Sequence, residues 1–324
     1  MSKIVITGCA GFIGSHLTER LLKLNHQVIG IDNFDPYYDI KIKEDNISGF
    51  LNHAAFQFSE TDITDKEKLR KAIPNGADLV VHLAAKAGVR PSIEDPDAYI
   101  NVNIKGTQHI LDIMVEKGIK KMAFASSSSV YGNTKVTPFV ETMDVSNPIS
   151  PYAATKKACE LINHTYHHLH HLDIMNLRFF TVFGPRQRPD LAIHKFTRLI
   201  YEDKPITMFG DGSAARDFTY IDDTVSGICG AIDYLFTHNS VFETINLGNN
   251  RPVLLRDLIS TIYNETGKNQ NINQLPMQPG DVDITYADIR KAQKLLGYQP
   301  QFNFKEGIKN FVEWYNTTRI KNQN

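Results

Sequence analysis

Residues 3–14 read K-I-V-I-T-G-C-A-G-F-I-G, and this segment is the strongest indication of the fold. Lys3 to Thr7 is a short β-branched run, and helical periodicity extends from Phe12 to Leu24. A second apolar run, Val28 to Asp32, follows the predicted helix. The stretch therefore opens a strand–turn–helix–strand unit, and its glycine-rich segment is the tight turn.

The same alternation of strands and helices continues as far as about Arg178. Further strands are predicted at Ala55–Phe58, Asp78–Leu83, Lys121–Ser126 and residues 173–178, and further helices at Lys66–Ile73, Tyr99–Glu116 and Tyr152–His171. This alternation favours a parallel sheet covered on both faces, with ligands at the carboxyl ends of its strands. Beyond Arg178 prolines and glycines cluster in loops, and residues 253–262 form a clear helix. We therefore predict an α/β fold, a Rossmann-type doubly wound parallel sheet with a smaller C-terminal α/β substrate-binding lobe.

The glycine turn has the form of a dinucleotide site. Gly8, Gly11 and Gly14 lack a Cβ atom, which permits close approach of a pyrophosphate to the helix N-terminus. A simple packing turn is the alternative interpretation. Asp32 favours the cofactor interpretation because a carboxylate at the end of the second strand accepts hydrogen bonds from ribose hydroxyls and repels a 2′-phosphate. The sequence therefore predicts NAD rather than NADP.

Other cofactor contacts are expected at the ends of the neighbouring strands. Asp62 and Ile63 follow the third strand, where an adenine edge is met, and small residues after the fourth strand permit close approach. The predicted cofactor residues in these segments are Gly8, Gly11, Phe12, Ile13, Gly14, Asp32, Asn33, Asp62, Ile63, Leu83, Ala84, Ala85 and Lys86. We predict that residues 1–177, with about 222–244, form the NAD-binding domain, and that 178–221 and 245–324 form the other lobe.

Composition excludes several classes of protein. The 324 residues carry a formal net charge of −1, so nothing in the charge indicates binding to nucleic acid or to an anionic membrane. Three cysteines without a C-x-x-C pair argue for a reducing compartment. The first strand starts at Lys3, which leaves no room for a signal peptide, and no apolar segment has the length of a membrane span. We expect a cytoplasmic protein.

A tyrosine and a lysine in S-P-Y-A-A-T-K indicate chemistry on an alcohol. Tyr152 and Lys156 are four residues apart on a predicted helix, so both side chains lie on one face. The ammonium stabilises a tyrosinate, which can remove a proton from a sugar hydroxyl near neutral pH. Together with a dinucleotide site, the pair predicts hydride transfer. A half-buried tyrosine that opens a helix after Pro151 is the alternative.

With these motifs in order, the chain resembles the extended short-chain dehydrogenase/reductases over nearly its whole length. Within that family it is most similar to nucleotide-sugar 4-epimerases, and especially to UDP-glucuronate 4-epimerases. The segments that carry this resemblance are residues 31–39, 87–96, 178–190 and 277–282. Gln278 fits the glucuronate type, because many galactose-type epimerases have an arginine there. The resemblance also implies a homodimer.

The resemblance implies roles for individual residues. Tyr152 is the expected acid/base, Lys156 its partner and a ligand of the nicotinamide ribose, and Ser127 the hydroxyl that hydrogen-bonds the reacting group. Further implied positions are Asn103 near the active site, Ser128 and Thr181 on the substrate side, Arg216 at the nucleotide diphosphate and Asp281 at the uridine ribose.

The type of reaction depends on the two residues before V-Y-G. Related 4,6-dehydratases have an acidic pair there, and UDP-glucuronate decarboxylases usually keep a glutamate. Ser128 and Ser129 occupy those positions here and cannot act as the acid or base at C5. This favours 4-epimerisation of a UDP-sugar, most of all UDP-glucuronate to UDP-galacturonate through a 4-keto intermediate. UDP-glucose or UDP-N-acetylglucosamine 4-epimerase, UDP-glucuronate decarboxylase, a reductase that releases the keto sugar and a non-catalytic NAD-binding protein remain alternatives.

A uronate substrate needs a group that holds its carboxylate. Arg188 and Thr181 are the candidates, since arginine binds a carboxylate through two donors. Arg186 is an alternative to Arg188, and Arg188 could instead be a loop residue paired with Asp190. The histidine-rich run of residues 164–171 is interpreted as a solvated or interfacial helix face, so no metal site is expected.

Overall fold

The computed structural model describes residues 1–276 and 284–320. The strands are β1 (Lys3–Thr7), β2 (Gln27–Asp32), β3 (Phe56–Glu60), β4 (Leu79–His82), β5 (Lys121–Ser127), β6 (Asp173–Phe179), β7 (Thr181–Phe183), β8 (Ile206–Phe209), β9 (Ala215–Tyr220), β10 (Phe242–Leu247), β11 (Pro252–Leu254), β12 (Ile272–Leu275) and β13 (Ile284–Thr285). The α-helices are α1 (Phe12–Lys23), α2 (Ile40–Ser48), α3 (Lys66–Ala72), α4 (Val89–Glu94), α5 (Pro96–Tyr99), α6 (Gly106–Lys117), α7 (Pro151–His170), α8 (Ala192–Tyr201), α9 (Ile221–Thr237), α10 (Leu255–Thr266), α11 (Arg290–Leu296) and α12 (Phe304–Tyr315).

A seven-stranded parallel sheet forms the centre of the molecule, in the order β10-β6-β5-β4-β1-β2-β3. The strand order reverses between β1 and β4, which is where a doubly wound sheet leaves a crevice for ligands. Along β1, Ile4 and Ile6 join one hydrophobic core and Val5 joins the other. Because successive side chains point to opposite faces, the apolar run of β1 buries both faces of the sheet. The predicted Rossmann-type fold is confirmed.

Smaller sheets lie in the C-terminal half. β9 pairs with β7, β11 and β13, and β8 pairs with β12. β10 belongs to the large sheet through residue 247, three residues beyond the boundary of about 244 estimated from the sequence. No helix in the described part of the chain is long and apolar enough to cross a membrane.

The predicted helix over Tyr99–Glu116 is interrupted. A π-helical segment, Ile100–Lys105, separates α5 from α6. Within it the carbonyl of Asn103 accepts hydrogen bonds from Thr107 Oγ1 at 2.5 Å and Cys159 Sγ at 3.2 Å. Such turns often occur at functional sites, and this one lies against helix α7, which carries Tyr152 and Lys156. Helical periodicity alone could not reveal it, because the bonds that stabilise it come partly from another helix.

Candidate active site

A cavity of about 590 Å³ opens at the carboxyl ends of the central strands. The predicted site residues that line it are Gly8, Gly11, Phe12, Ile13, Gly14, Asp32, Asn33, Asp62, Ile63, Leu83, Ala84, Ala85, Lys86, Ser127, Ser128, Tyr152, Lys156, Thr181 and Arg188. The structure thus brings the glycine turn, the tyrosine–lysine pair and the arginine candidate to one cavity. Its position agrees with the reversal of strand order between β1 and β4.

The glycine turn has no room for side chains. A Cβ on Gly14 would lie 2.0 Å from the carbonyl oxygen of Gly8. Gly8 itself has φ +75°, and a Cβ there would lie 2.8 Å from the backbone nitrogen of Ala84. Because these positions have no side chain, the turn packs closely against α1 and the end of β4. Its backbone is left exposed along the cavity floor. The arrangement fits a pyrophosphate bound at the N-terminus of α1.

Asp32 ends β2 inside the cavity. Its carboxylate accepts hydrogen bonds from the backbone N–H groups of Ala10, at 3.1 Å, and Phe34, at 2.9 Å. Burial raises its pKa, while Lys43 and these N–H groups oppose that rise. Lys43 Nζ lies 4.0 Å from Asp32 Oδ1 in the same wall. Lys43 is not among the residues predicted from the sequence, because helix α2, which carries it, has no clear signal there.

A second cluster of polar groups connects the loop after β2 to the loops after β3 and β4. Asn33 Nδ2 donates to Asp62 Oδ2 at 2.8 Å, and Lys86 Nζ contacts Asp35 at 3.2 Å. Asn103 does not line the cavity. Its side chain accepts from Lys86 N at 2.8 Å, donates to Lys86 O at 3.0 Å and donates to Thr155 on α7 at 3.0 Å. The amide therefore fixes the loop after β4, and the role implied for Asn103 near the active site stays a prediction.

Tyr152 and Lys156 both line the cavity, but their side chains have different partners. Burial raises the pKa of Tyr152, while Ser127 and Arg188 favour the phenolate and act in the opposite direction. Burial lowers the pKa of Lys156 to about 8, and its Nζ donates to Ala125 O at 2.7 Å. The predicted sharing of one helix face holds, yet here Ser127 and Arg188 are the groups that act on the Tyr152 phenol.

A buried ion pair fixes helix α7 against the sheet. Glu160 on α7 accepts two hydrogen bonds at 2.8 Å from Arg178 on β6, and one at 2.7 Å from Ser126. Arg178 also donates to Tyr131 Oη at 2.9 Å, and Tyr131 donates to Asn246 on β10 at 2.7 Å. This network orients α7, and with it Tyr152. Sequence reasoning did not find it, because its members are brought together from four separate segments.

Arg188 lies at the predicted substrate end of the cavity. There the loop after β7, which carries Arg188, meets the loops after β2 and β4. Its guanidinium pairs with Asp190 at 2.6 Å, donates to Ala87 O at 3.3 Å and lies over the ring of Tyr37. Arg186 is not in the cavity wall and instead pairs with Glu19 on α1 at 2.7 Å. The pairing with Asp190 considered from the sequence is therefore present, and it does not remove Arg188 from the cavity.

The remaining predicted residues lie elsewhere. Arg216 is on β9 outside the wall of this cavity, where its Nη1 donates to Ala215 O at 2.9 Å. Asp281 and Gln278 lie outside the described residues. Within residues 1–276 and 284–320, no group of three or more histidine, cysteine, aspartate or glutamate side chains is arranged to hold a metal ion.

Comparison with known proteins gives extensive matches. The family model described as GDP-mannose 4,6 dehydratase matches residues 5–311. A UDP-glucuronate 4-epimerase of Thermodesulfobacterium geofontis is 42% identical over 316 residues, which are 97% of this chain and 96% of the relative. UDP-glucuronate 4-epimerase 2 of Arabidopsis thaliana is 41% identical over 331 residues, which are 96% of this chain and 75% of the relative.

Solved structures match equally well. The UDP-glucuronic acid 4-epimerase of Bacillus cereus, in complex with UDP-glucuronic acid and NAD, has a TM-score of 0.89 and 39% identity, over 97% of this chain and 99% of that one. The UDP-glucose 4-epimerase of Thermotoga maritima with UDP-glucose has a TM-score of 0.88 and 31% identity, over 98% and 99%. By this agreement over almost the full length, the chain belongs to the extended short-chain dehydrogenase/reductase family, in the group that includes the UDP-glucuronate 4-epimerases.

Proposed function

We propose that this protein is an NAD-dependent UDP-sugar 4-epimerase that interconverts UDP-glucuronate and UDP-galacturonate. The observation that carries the proposal is the wall around Tyr152, where Ser127, Ser128 and Arg188 line the same cavity. This wall provides an acid/base, hydroxyl donors and one cation, while serines stand at the two positions where related dehydratases have carboxylates. The relatives named UDP-glucuronate 4-epimerase support the same assignment.

The cavity offers a place for each part of NAD. The glycine turn suits the pyrophosphate, Asp32 the adenosine ribose, Asp62 and Ile63 the adenine, and Lys156 the nicotinamide ribose. When bound, NAD⁺ supplies reversible hydride acceptance, so it is regenerated in each turnover.

Tyr152 is the group that moves the proton. As a phenolate it removes the proton of the sugar 4-hydroxyl. It returns a proton to the same oxygen after the 4-keto sugar has rotated in the cavity and received the hydride on its opposite face. Burial makes the phenolate costly, and Ser127 and Arg188 lower that cost. The catalytic tyrosine is thus coupled to the cation that we assign to the substrate carboxylate.

A uronate adds a chemical hazard. Its 4-keto intermediate is a β-keto acid. Such an acid loses CO₂ when the bond between C5 and the carboxylate carbon is aligned with the π orbital of the ketone. Arg188 and Thr181 hold the carboxylate away from that alignment, since guanidinium binds a carboxylate directionally. Arg188, not Arg186, has this role because Arg188 lines the cavity and Arg186 pairs with Glu19 on the outside of α1.

The direct test is incubation of the purified protein with UDP-glucuronate, UDP-glucose and UDP-N-acetylglucosamine, with chromatography to resolve the 4-epimers. UDP-galacturonate should be the dominant product, without net NADH or CO₂. Tyr152→Phe should abolish turnover and keep NAD bound. Net NADH, release of CO₂ or turnover by Tyr152→Phe would each contradict the mechanism.

The carboxylate assignment has a matched pair of variants. Arg188→Ala should reduce UDP-glucuronate turnover much more than any turnover of UDP-glucose, because only the former has a C6 carboxylate. Arg186→Ala is the control, since Arg186 is an arginine of the same loop whose ion pair lies outside the cavity. Equal losses on both substrates in Arg188→Ala would contradict this role.

The quaternary state and location complete the proposal. Leu161 and Leu169 on α7 are 58% and 67% exposed, and these two exposed leucines on one helix support a homodimer. Light scattering of Leu161→Glu should show a smaller particle than the parent protein if α7 forms the interface. The free cysteines Cys9, Cys159 and Cys229 support a cytoplasmic location. We also propose the division into an NAD-binding domain and a substrate lobe. Truncated chains that bind NAD and UDP separately would support this division.

A further inference from the structure

The Arg188 guanidinium already has a carboxylate partner. Its Nε donates to Asp190 Oδ1 at 3.0 Å and its Nη2 donates to Asp190 Oδ2 at 2.6 Å. This is a bidentate contact on one edge of the guanidinium, and Nη1 lies outside it. The chemistry of the pair is the same as the chemistry that Arg188 would use on a uronate.

The position of this ion pair makes it more than a surface contact. The side chain of Arg188 is only 19% exposed and that of Asp190 is 33% exposed. Arg188 lines the cavity and acts electrostatically on Tyr152. An internal carboxylate is therefore bound to the cation of the substrate site, close to the catalytic phenol.

We propose that Asp190 is a specificity-determining residue, an internal carboxylate that holds Arg188 when no uronate is bound and competes with the C6 carboxylate of the substrate. This inference rests on the proposed function, because it takes Arg188 as the carboxylate ligand. Asp190 does not touch the reacting atoms in this account. It acts through Arg188 and sets how strongly the site prefers a uronate over a neutral sugar.

Tyr37 gives Asp190 a second partner. The Tyr37 ring lies 5.3 Å from the Arg188 guanidinium carbon, and its phenol interacts with Asp190. Tyr37 belongs to the loop after β2, so three loops meet here, with Ala87 from the loop after β4 as the third. When a substrate carboxylate takes part of the guanidinium, Asp190 retains the Tyr37 hydroxyl as a hydrogen-bond donor.

Removing the negative charge of Asp190 should strengthen uronate binding. In Asp190→Asn a largely buried guanidinium loses its counter-charge, and an unpaired charge of this kind is unfavourable. A bound uronate would then supply the missing charge, so its binding would relieve a cost that the parent protein does not have. UDP-glucose has no carboxylate and would gain nothing.

The measurement is calorimetric titration of the NAD-loaded protein with UDP-glucuronate and UDP-glucose. In Asp190→Asn we expect the Kd of UDP-glucuronate to fall by about fivefold or more, the effect of about one exposed ion pair at its upper range. The Kd of UDP-glucose should change by less than about twofold, and Asp190→Glu should behave like the parent protein.

The control is Glu19→Gln, which removes the acid of a second arginine–carboxylate pair of similar length and exposure, held by a single contact. That pair, Arg186–Glu19, joins atoms 2.7 Å apart and has exposures of 22% and 29%. The control should leave both Kd values unchanged. An unchanged or higher Kd for UDP-glucuronate in Asp190→Asn would overturn the proposal, because Asp190 would then organise Arg188 instead of competing for it.

Two further measurements keep the outcomes separate. If Asp190→Asn does not fold, Tyr37→Phe tests the same idea, since Asp190 loses its second partner and the Kd of UDP-glucuronate should rise. An unchanged value there would count against the inference. Failure of the parent protein to bind or epimerise UDP-glucuronate would instead overturn the proposed function. The parent protein is assayed first, so this failure is distinguished from any effect of a variant.

Discussion

Replacement of Lys156 by methionine should abolish activity and yet stabilise the fold. Lys156 is 4% exposed, and burial lowers its pKa from 10.5 to about 8. At about 1.4 kcal/mol per pH unit, this difference corresponds to about 3 kcal/mol of cost for the buried ammonium at neutral pH. Methionine has a similar length and no charge, so the variant avoids that cost.

One lost hydrogen bond reduces the gain. Lys156 Nζ donates to Ala125 O at 2.7 Å, and methionine cannot replace this donor. The loss of such a bond costs about 1 kcal/mol. We therefore expect Lys156→Met to raise the free energy of unfolding by about 2 kcal/mol at pH 7.

Urea unfolding of nucleotide-free protein is the appropriate assay, since bound NAD would stabilise the two proteins unequally. Lys157→Met is a matched control. Lys157 is the next residue on α7, 25% exposed, and pairs with Glu160 at 3.4 Å. Its replacement should lower stability by at most about 1 kcal/mol.

The pH dependence provides a second check on the cause. Between pH 8 and 10.5 the folded parent protein has lost the Lys156 proton that the unfolded chain still binds. Its stability therefore rises with pH in this range relative to Lys156→Met. The advantage of the variant should be full below pH 8, and above pH 10.5 it should be replaced by a deficit of about 1 kcal/mol from the lost hydrogen bond. A variant that is less stable than the parent at pH 7, or an advantage independent of pH, would refute the reasoning.

Three other perturbations have clear expected results. Glu160→Gln leaves Arg178 as a buried cation without its carboxylate, so the free energy of unfolding in urea should fall by about 3–5 kcal/mol. Gly14→Ala places a Cβ 2.0 Å from Gly8 O, so NAD copurified per chain, measured after denaturation, should fall sharply. Asp32→Asn should weaken NAD binding by about tenfold and reduce the preference for NAD over NADP, both measured by titration, because it replaces one acceptor oxygen for the ribose by a donor and removes the negative charge. Unchanged values in any of these assays would contradict the corresponding contact.

The parts of the site predicted from sequence are those built on local backbone. Gly8, Gly11 and Gly14 are needed for one tight turn, and the spacing of Tyr152 and Lys156 is a helical spacing. In both cases neighbouring residues in the chain decide the geometry. The β-branched runs likewise predicted the central strands, because each strand is buried on both faces.

The parts that were missed depend on contacts between distant segments. Lys43 reaches the cavity only because helix α2 packs beside β2. Asn103 lies outside the cavity wall because its amide bonds to the loop after β4. Gln278 and Asp281 lie outside the described residues, so their roles stay predictions.

The Rossmann-type sheet, the glycine turn and the shared helix face of Tyr152 and Lys156 could be predicted from the sequence, since they follow from short-range periodicity and local backbone geometry. Which arginine lines the cavity, and which carboxylate it contacts there, depends on the folded chain. Arg186 and Arg188 are two residues apart and chemically identical. In the folded chain Arg186 pairs with Glu19 outside the cavity, and Arg188 pairs with Asp190 near Tyr152. The partners differ because charge pairing depends on distance in space and not on distance along the chain.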